Sequence, residues 1–229
     1  MCFILGNKVS DYTEFSYMLT KETFVSLNWL MRDLRETSLT SVRVYEDDLN
    51  KESPVLTFEG ASKVGSGKME FSNYGTPLWQ KYLIYTLVPD VQVSNMYGIK
   101  VASLVRYELS SESALSPLPA ALELAGPKDH PNLPAHLQSR RVIIRNIVLE
   151  EQDLDFNGSK DKEYKGFDVK FVRRDKDGKD VLTNQNPALA EDIEYNTKLL
   201  NVELTVLQVS GATGKQNILG FSFRVHPRN

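Results

Sequence analysis

The chain has 229 residues, 41% of them hydrophobic, and a formal net charge of −3 from 27 basic and 30 acidic side chains. This is enough apolar material for a packed core, and the charge excludes a global attraction to nucleic acid or anionic lipid. A single cysteine, Cys2, cannot form an internal disulfide, and no run approaches the roughly 18 apolar residues that span a bilayer.

In chain order, residues 2–5 and 15–19 suit short strands. The start Met1-Cys2-Phe3-Ile4-Leu5-Gly6 has no basic leader and too short an apolar stretch for a signal peptide, so the expectation is a soluble protein with no membrane span, cytoplasmic or in a particle assembled there, or one that leaves the cell by an unconventional route. A helix is predicted over 20–36, with Thr20 as N-cap, Glu22 in the first turn and Phe24, Leu27, Met31 and Leu34 on one apolar face. Short β signals follow at Val42 and Val44, Leu56 and Phe58, and Met69 and Phe71, separated by turns around Gly60 and Gly65 to Gly67. Residues 82–88 and 142–149 are apolar in both phases, the pattern of strands covered on both faces.

Residues 91–109 show sustained alternation. Val91, Val93, Tyr97, Ile99, Val101, Val105, Tyr107 and Leu109 share one phase, and Gln92, Ser94, Lys100, Arg106 and Glu108 share the other. Taken as one half-buried strand the run would span about 60 Å, so it must bend, with Gly98 as the place to do so, pass between two sheets, or reach beyond its own domain. Five prolines between 117 and 134 mark an insertion over 116–138 with a short helical candidate at 120–125. Phe167, Val169 and Phe171 alternate, Asn186-Pro187 has the form of a helix start, and residues 200–209 and 219–225 form a C-terminal hairpin.

Several stretches imitate functional motifs. Ser210-Gly211-Ala212-Thr213-Gly214-Lys215-Gln216 has the look of a dinucleotide-binding turn, but Asn217 holds the place of the third glycine and a strand follows in place of a helix, so the expectation is a hairpin loop. Gly65-Ser66-Gly67-Lys68 lacks the spacer and the hydroxyl of a P-loop. The acidic loop carries Asp153, Asp155, Asn157, Asp161 and Glu163, with Gly158 sixth in the run, and partly resembles an EF-hand calcium loop. Tyr164 stands where the bidentate glutamate belongs, so a solvated turn built on Asn157-Gly158 competes with calcium binding, and no other cofactor is expected. Asp175 to Asp180 reads as a hairpin tip.

His130 and His136 lack partners at zinc-site spacing, and His226 lies in the tail. No Gly-x-Ser-x-Gly elbow marks a nucleophile, and Glu150, Glu151, Asp153 and Asp155 form an acidic turn whose carboxylate separations sequence does not define. Arg140, Arg141 and Arg145 flank one apolar strand, while Lys170, Arg173, Arg174, Lys176 and Lys179 are interleaved with aspartates, so nucleic-acid binding is not expected. Trp29, Trp79, Tyr82, Tyr85, Tyr97 and Tyr107 would either line a ligand site or fill a sheet core.

The sequence therefore predicts a mainly β protein over 1–229: a single antiparallel sandwich or barrel-like domain with a packing helix at 20–36 and the insertion at 116–138. The functional expectation is a non-enzymatic structural or assembly subunit that self-associates or joins a larger particle, of viral, phage or secretion-machine type, since long alternating strands offer edges to neighbours. A ligand- or carbohydrate-binding β domain, calcium-assisted or not, is the second reading, and a hydrolase with a dispersed site the third.

Overall fold

A computed structural model of the chain describes residues 21, 23–45, 55–62, 68–75, 77–79, 81–110, 137–149, 166–175, 177–183, 199–209 and 216–227. They build nine antiparallel strands in a curled half-barrel sheet with two helices. Helix α1 (residues 23–36) leads through a single 3-10 turn at Leu39–Ser41 into β1 (Arg43–Tyr45) and β2 (Val55–Gly60). Strand β3 (Lys81–Pro89), helix α2 (Val91–Tyr97), β4 (Val101–Ser110) and β5 (Leu137–Val148) follow, then β6 (Phe167–Arg174), β7 (Asp180–Thr183), β8 (Leu199–Val209) and β9 (Gln216–Val225).

Strands β1 to β5 pair as consecutive neighbours, and β8 carries β6 and β5 on one edge and β9 on the other. The two groups meet in backbone pairing only at Ile147 and Val206. Irregular register between β4 and β5 makes that corner, because extra residues on β5 bend and twist it out of the first group. Gly166, just ahead of β6, lies so close to the Val148 carbonyl that a Cβ would collide with it, and its own carbonyl accepts the Thr205 N–H.

One apolar cluster occupies the inner face of the curl. It takes Leu27, Leu30 and Leu34 from α1, Phe58, Leu83, Tyr85 and Leu104 from β2 to β4, and Phe167, Phe171, Leu200, Val202 and Val225 from the second group. The helix thus buries a stripe turned slightly from the predicted one: Leu30 joins it, Met31 packs at its margin, and Phe24 is 54% exposed. Strand β3 is buried on both faces as expected, and a second cluster around Ile84, Val105, Tyr107 and Leu109 lies behind it.

The single strand predicted over 91–109 is a helix followed by a strand. Asp90 caps α2 by accepting the Val93 N–H, and Gly98 closes it at φ 68°, donating its N–H to the Ser94 carbonyl. The Ser94 hydroxyl donates to the Asp90 carbonyl and accepts the Val101 N–H, so one serine ties the helix to the start of β4. Seven residues at a helical rise cover only about 10 Å, which removes the overlength. Alternation misled because Val91 and Met96 project outward at 66% and 72% exposure, while Val93 packs against the cluster of Ile99, Val101, Val148 and Leu207. Met69 and Phe71 make only isolated bridges, to Ser62 and Pro77 respectively, and no strand.

The predicted elements at 2–5, 15–19, 120–125 and 186–187 lie outside the described residues, as does the insertion up to residue 136; residues 137 and 138 open β5.

Candidate functional site

The densest grouping of chemically capable side chains among the described residues lies between α1 and the inner face of β3 and β4. Asp33 follows the leucine stripe of α1 and is only 1% exposed. Beneath it, Arg106 and Glu108 alternate on β4, with Arg106 opposite Tyr85 and Glu108 opposite both Leu83 and Ser139. Period two therefore sends both charges toward the helix.

Asp33 Oδ2 accepts from the Tyr85 hydroxyl and from Arg106 Nε, each at 2.7 Å. Arg106 Nη1 donates to Glu108 Oε2 at 2.8 Å, and Lys81 Nζ lies 3.0 Å from Glu108 Oε1. The Ser139 hydroxyl donates to Glu108 Oε2 at 3.2 Å. Two acids and two bases, all buried, thus neutralise one another, and the second Asp33 oxygen, Oδ1, faces the exposed Arg32 guanidinium at 3.8 Å; mutual pairing is the condition under which buried charges are tolerated.

The electrostatics follow from that geometry. Burial, together with the negative charge of Asp33, pushes the Tyr85 phenol well above its ordinary 10.0, so it is a neutral donor at physiological pH. Burial alone would raise the Glu108 carboxyl, but the hydrogen bonds and charges of Arg106 and Lys81 outweigh it and hold the group below 4.5. Burial likewise opposes the Arg106 cation, yet attraction to Tyr85, as phenolate at the alkaline pH where arginine titrates, and to Asp33 raises its pKa. The chemistry of the cluster is internal: its charged groups are aimed at one another, pinning α1 over β3 and β4.

At the rim, two guanidinium groups lie over the Trp29 ring, Arg32 at 4.6 Å and Arg141 at 4.8 Å from its centroid. Arg140 lies over Tyr107 on the opposite face of the sheet. Tyr85 faces the helix whereas Tyr82 and Tyr107 belong to the cluster behind, so these three tyrosines do not converge on one ligand site.

The calcium candidates Asp153, Asp155, Asn157, Asp161 and Glu163 lie outside the described residues, as do His130, His136, Glu150 and Glu151. Among the described residues no group of three or more His, Cys, Asp or Glu could hold a metal. His226 is exposed beyond β9. Residues 210–215 of the glycine-rich stretch are likewise undescribed, but what flanks them is an antiparallel strand pair in continuous register, Val209 opposite Gln216. Asp175 closes the tip between β6 and β7, accepting the Asp177 and Lys179 N–H groups on Oδ1, with Gly178 at φ 79°.

Among the described residues no helix is long and apolar enough to cross a membrane. Comparison with protein-family models, with curated proteins and with solved structures finds no match to this chain.

Proposed function

We propose that this chain is a non-enzymatic assembly subunit that joins copies of itself, or a larger particle, through the β9 edge of its sheet. The observation carrying this reading is β9: ten residues long, it pairs in full register with β8, and among the described residues nothing pairs with its other edge. Long edges are templates for another chain, and proteins that stay apart usually shield them with lysine, proline or bulges. Within β9 only Arg224 is charged, and no proline interrupts it. The pinned helix and continuous core supply a stiff body from which such an edge can be presented. A single cysteine suits a reducing compartment and supports an assembly in the cytoplasm.

Light scattering and native mass spectrometry from micromolar to near-millimolar protein test the reading. Mass rising with concentration in physiological salt is the expected result. A monomer throughout overturns it in favour of a ligand-binding β domain.

A further inference from the structure

The direction of the backbone groups on β8 determines which atoms of β9 are open. The Thr205 N–H donates to the Gly166 carbonyl, so Thr205 turns its backbone groups away from β9. Thr205 stands opposite Gly220, and in an antiparallel ladder two opposed residues face each other or face away together. Gly220 therefore points its N–H and C=O outward, as do Ile218, Ser222 and Arg224, while Leu219, Phe221, Phe223 and Val225 bond to β8. These latter side chains stand opposite the core residues Val206, Leu204, Val202 and Leu200, so they lie on the inner face.

We propose that β9 is a homotypic seam: two copies pair their β9 strands antiparallel about a two-fold axis at Phe221, extending the sheet from one copy into the other. This deepens the assembly reading and rests on it. Among antiparallel registers that match outward groups, the one centred on Phe221 sets Phe221 against Phe221 of the second copy and Leu219 against Phe223. The inner faces then form one apolar row. On the outer face Gly220 meets Ser222 and Ile218 meets Arg224, whose guanidinium is already held by Asp180 Oδ2 of its own chain at 2.7 Å.

A second feature lies at the same place. Phe24 of α1 meets the Phe221 ring edge-on at a centroid distance of 5.7 Å, and both Phe24 and Val25 are more than half exposed. An isolated chain thus shows water an apolar pair beside its open edge, and a second copy centred on Phe221 brings the same pair from its own side. Pairing would form about eight backbone hydrogen bonds, two for each bonded residue pair.

Substitutions that touch only the outward side test the seam. Ser222→Pro removes an outward N–H and leaves the bonds of Phe221 and Phe223 to β8, so the melting temperature is retained while the dimer weakens by about 100-fold, both copies losing a bond and meeting the ring. Gly220→Glu keeps every N–H and sends its side chain into open space, placing like charges along the seam with the same result. Phe221→Cys in a Cys2→Ser background gives a disulfide-linked dimer on oxidation, because unbonded antiparallel partners lie about 4.5 Å apart at Cα. Ser222→Cys in that background, offset from its own copy, does not. A dimer that survives both surface variants and fails to cross-link overturns the seam while the assembly reading stands. A monomer at every concentration overturns both.

Discussion

At the scale of single residues, Asp33 and Arg106 depend on each other. Asp33→Ala leaves the Arg106 cation short of a partner at 4% exposure, and the loss expected in urea unfolding is about 3–5 kcal/mol. Asp33→Leu combined with Arg106→Met removes both charges, leaves Lys81 and Glu108 as a neutral pair, and should cost less than Asp33→Ala alone. The pH dependence has two limbs with different owners. The folded Glu108 carboxyl lies below its ordinary 4.5, so its contribution is complete above that value and is lost as pH falls through the lower folded value; Glu108→Gln should flatten this acid limb. The folded Tyr85 phenol lies well above 10.0, so its contribution holds below that value and is lost as pH rises toward the folded one; Tyr85→Phe should shrink that alkaline limb in melting scans, leaving the share of Tyr82, whose phenol is raised by burial and by Glu59. None of this cluster was legible in the sequence. Alternation separates two phases but does not say what covers each, and the polar phase holding Arg106 and Glu108 is covered by a helix some 70 residues earlier in the chain. The nearest signal is Asp33 itself, which sits between Leu30 and Leu34 beside the leucine stripe.

At the scale of elements, two glycines carry different constraints. Gly98 adopts φ 68° with nothing near a would-be Cβ, so Gly98→Ala exerts only left-handed strain and should cost about 1–2 kcal/mol, with Gly98→Asn milder. Gly166 has an ordinary φ but presses on the Val148 carbonyl, so Gly166→Ala must move backbone at the corner between the two strand groups and should cost about 1–3 kcal/mol. Urea midpoints of the two variants separate strain from collision, because asparagine relieves the first site and not the second. The strands were largely legible where their patterns are local: β2, β3, β6 and the β8–β9 hairpin follow apolar runs bounded by turn residues. Helix α2 was not, because Val91, Val93 and Tyr97 mimic a strand phase. The capping residues Asp90 and Gly98 are the features that override it, and both are visible in the sequence. The register irregularities on β5 leave one faint mark in the sequence, Asn146, which adopts φ 57° in the irregular stretch between Ile144 and Ile147, a backbone region asparagine tolerates better than most residues.

At the scale of the whole molecule, cooperativity depends on side chains more than on the ladder. The first five strands and the β6–β9 group share one backbone pair, Ile147 with Val206, but the inner cluster runs without interruption from Leu30 and Phe58 to Phe171 and Val202. A ladder contact this small could not couple two sheets, whereas a common close-packed core transmits the loss of any large side chain to both. The chain's two tryptophans have their nearest surroundings on the first group, Trp29 of α1 against Arg141 of β5 and Trp79 just before β3. Phe171, fully buried on β6, belongs to the second. Phe171→Ala should therefore lower the unfolding midpoint seen by tryptophan fluorescence as much as that seen by far-ultraviolet circular dichroism, with a loss of about 3–5 kcal/mol. If the groups were separate bodies touching at one corner, fluorescence would keep its original midpoint and circular dichroism would split into two steps. Coincident, equally displaced transitions are expected, because the cavity left by Phe171 opens in the same core that holds Leu30, Leu34 and Tyr85.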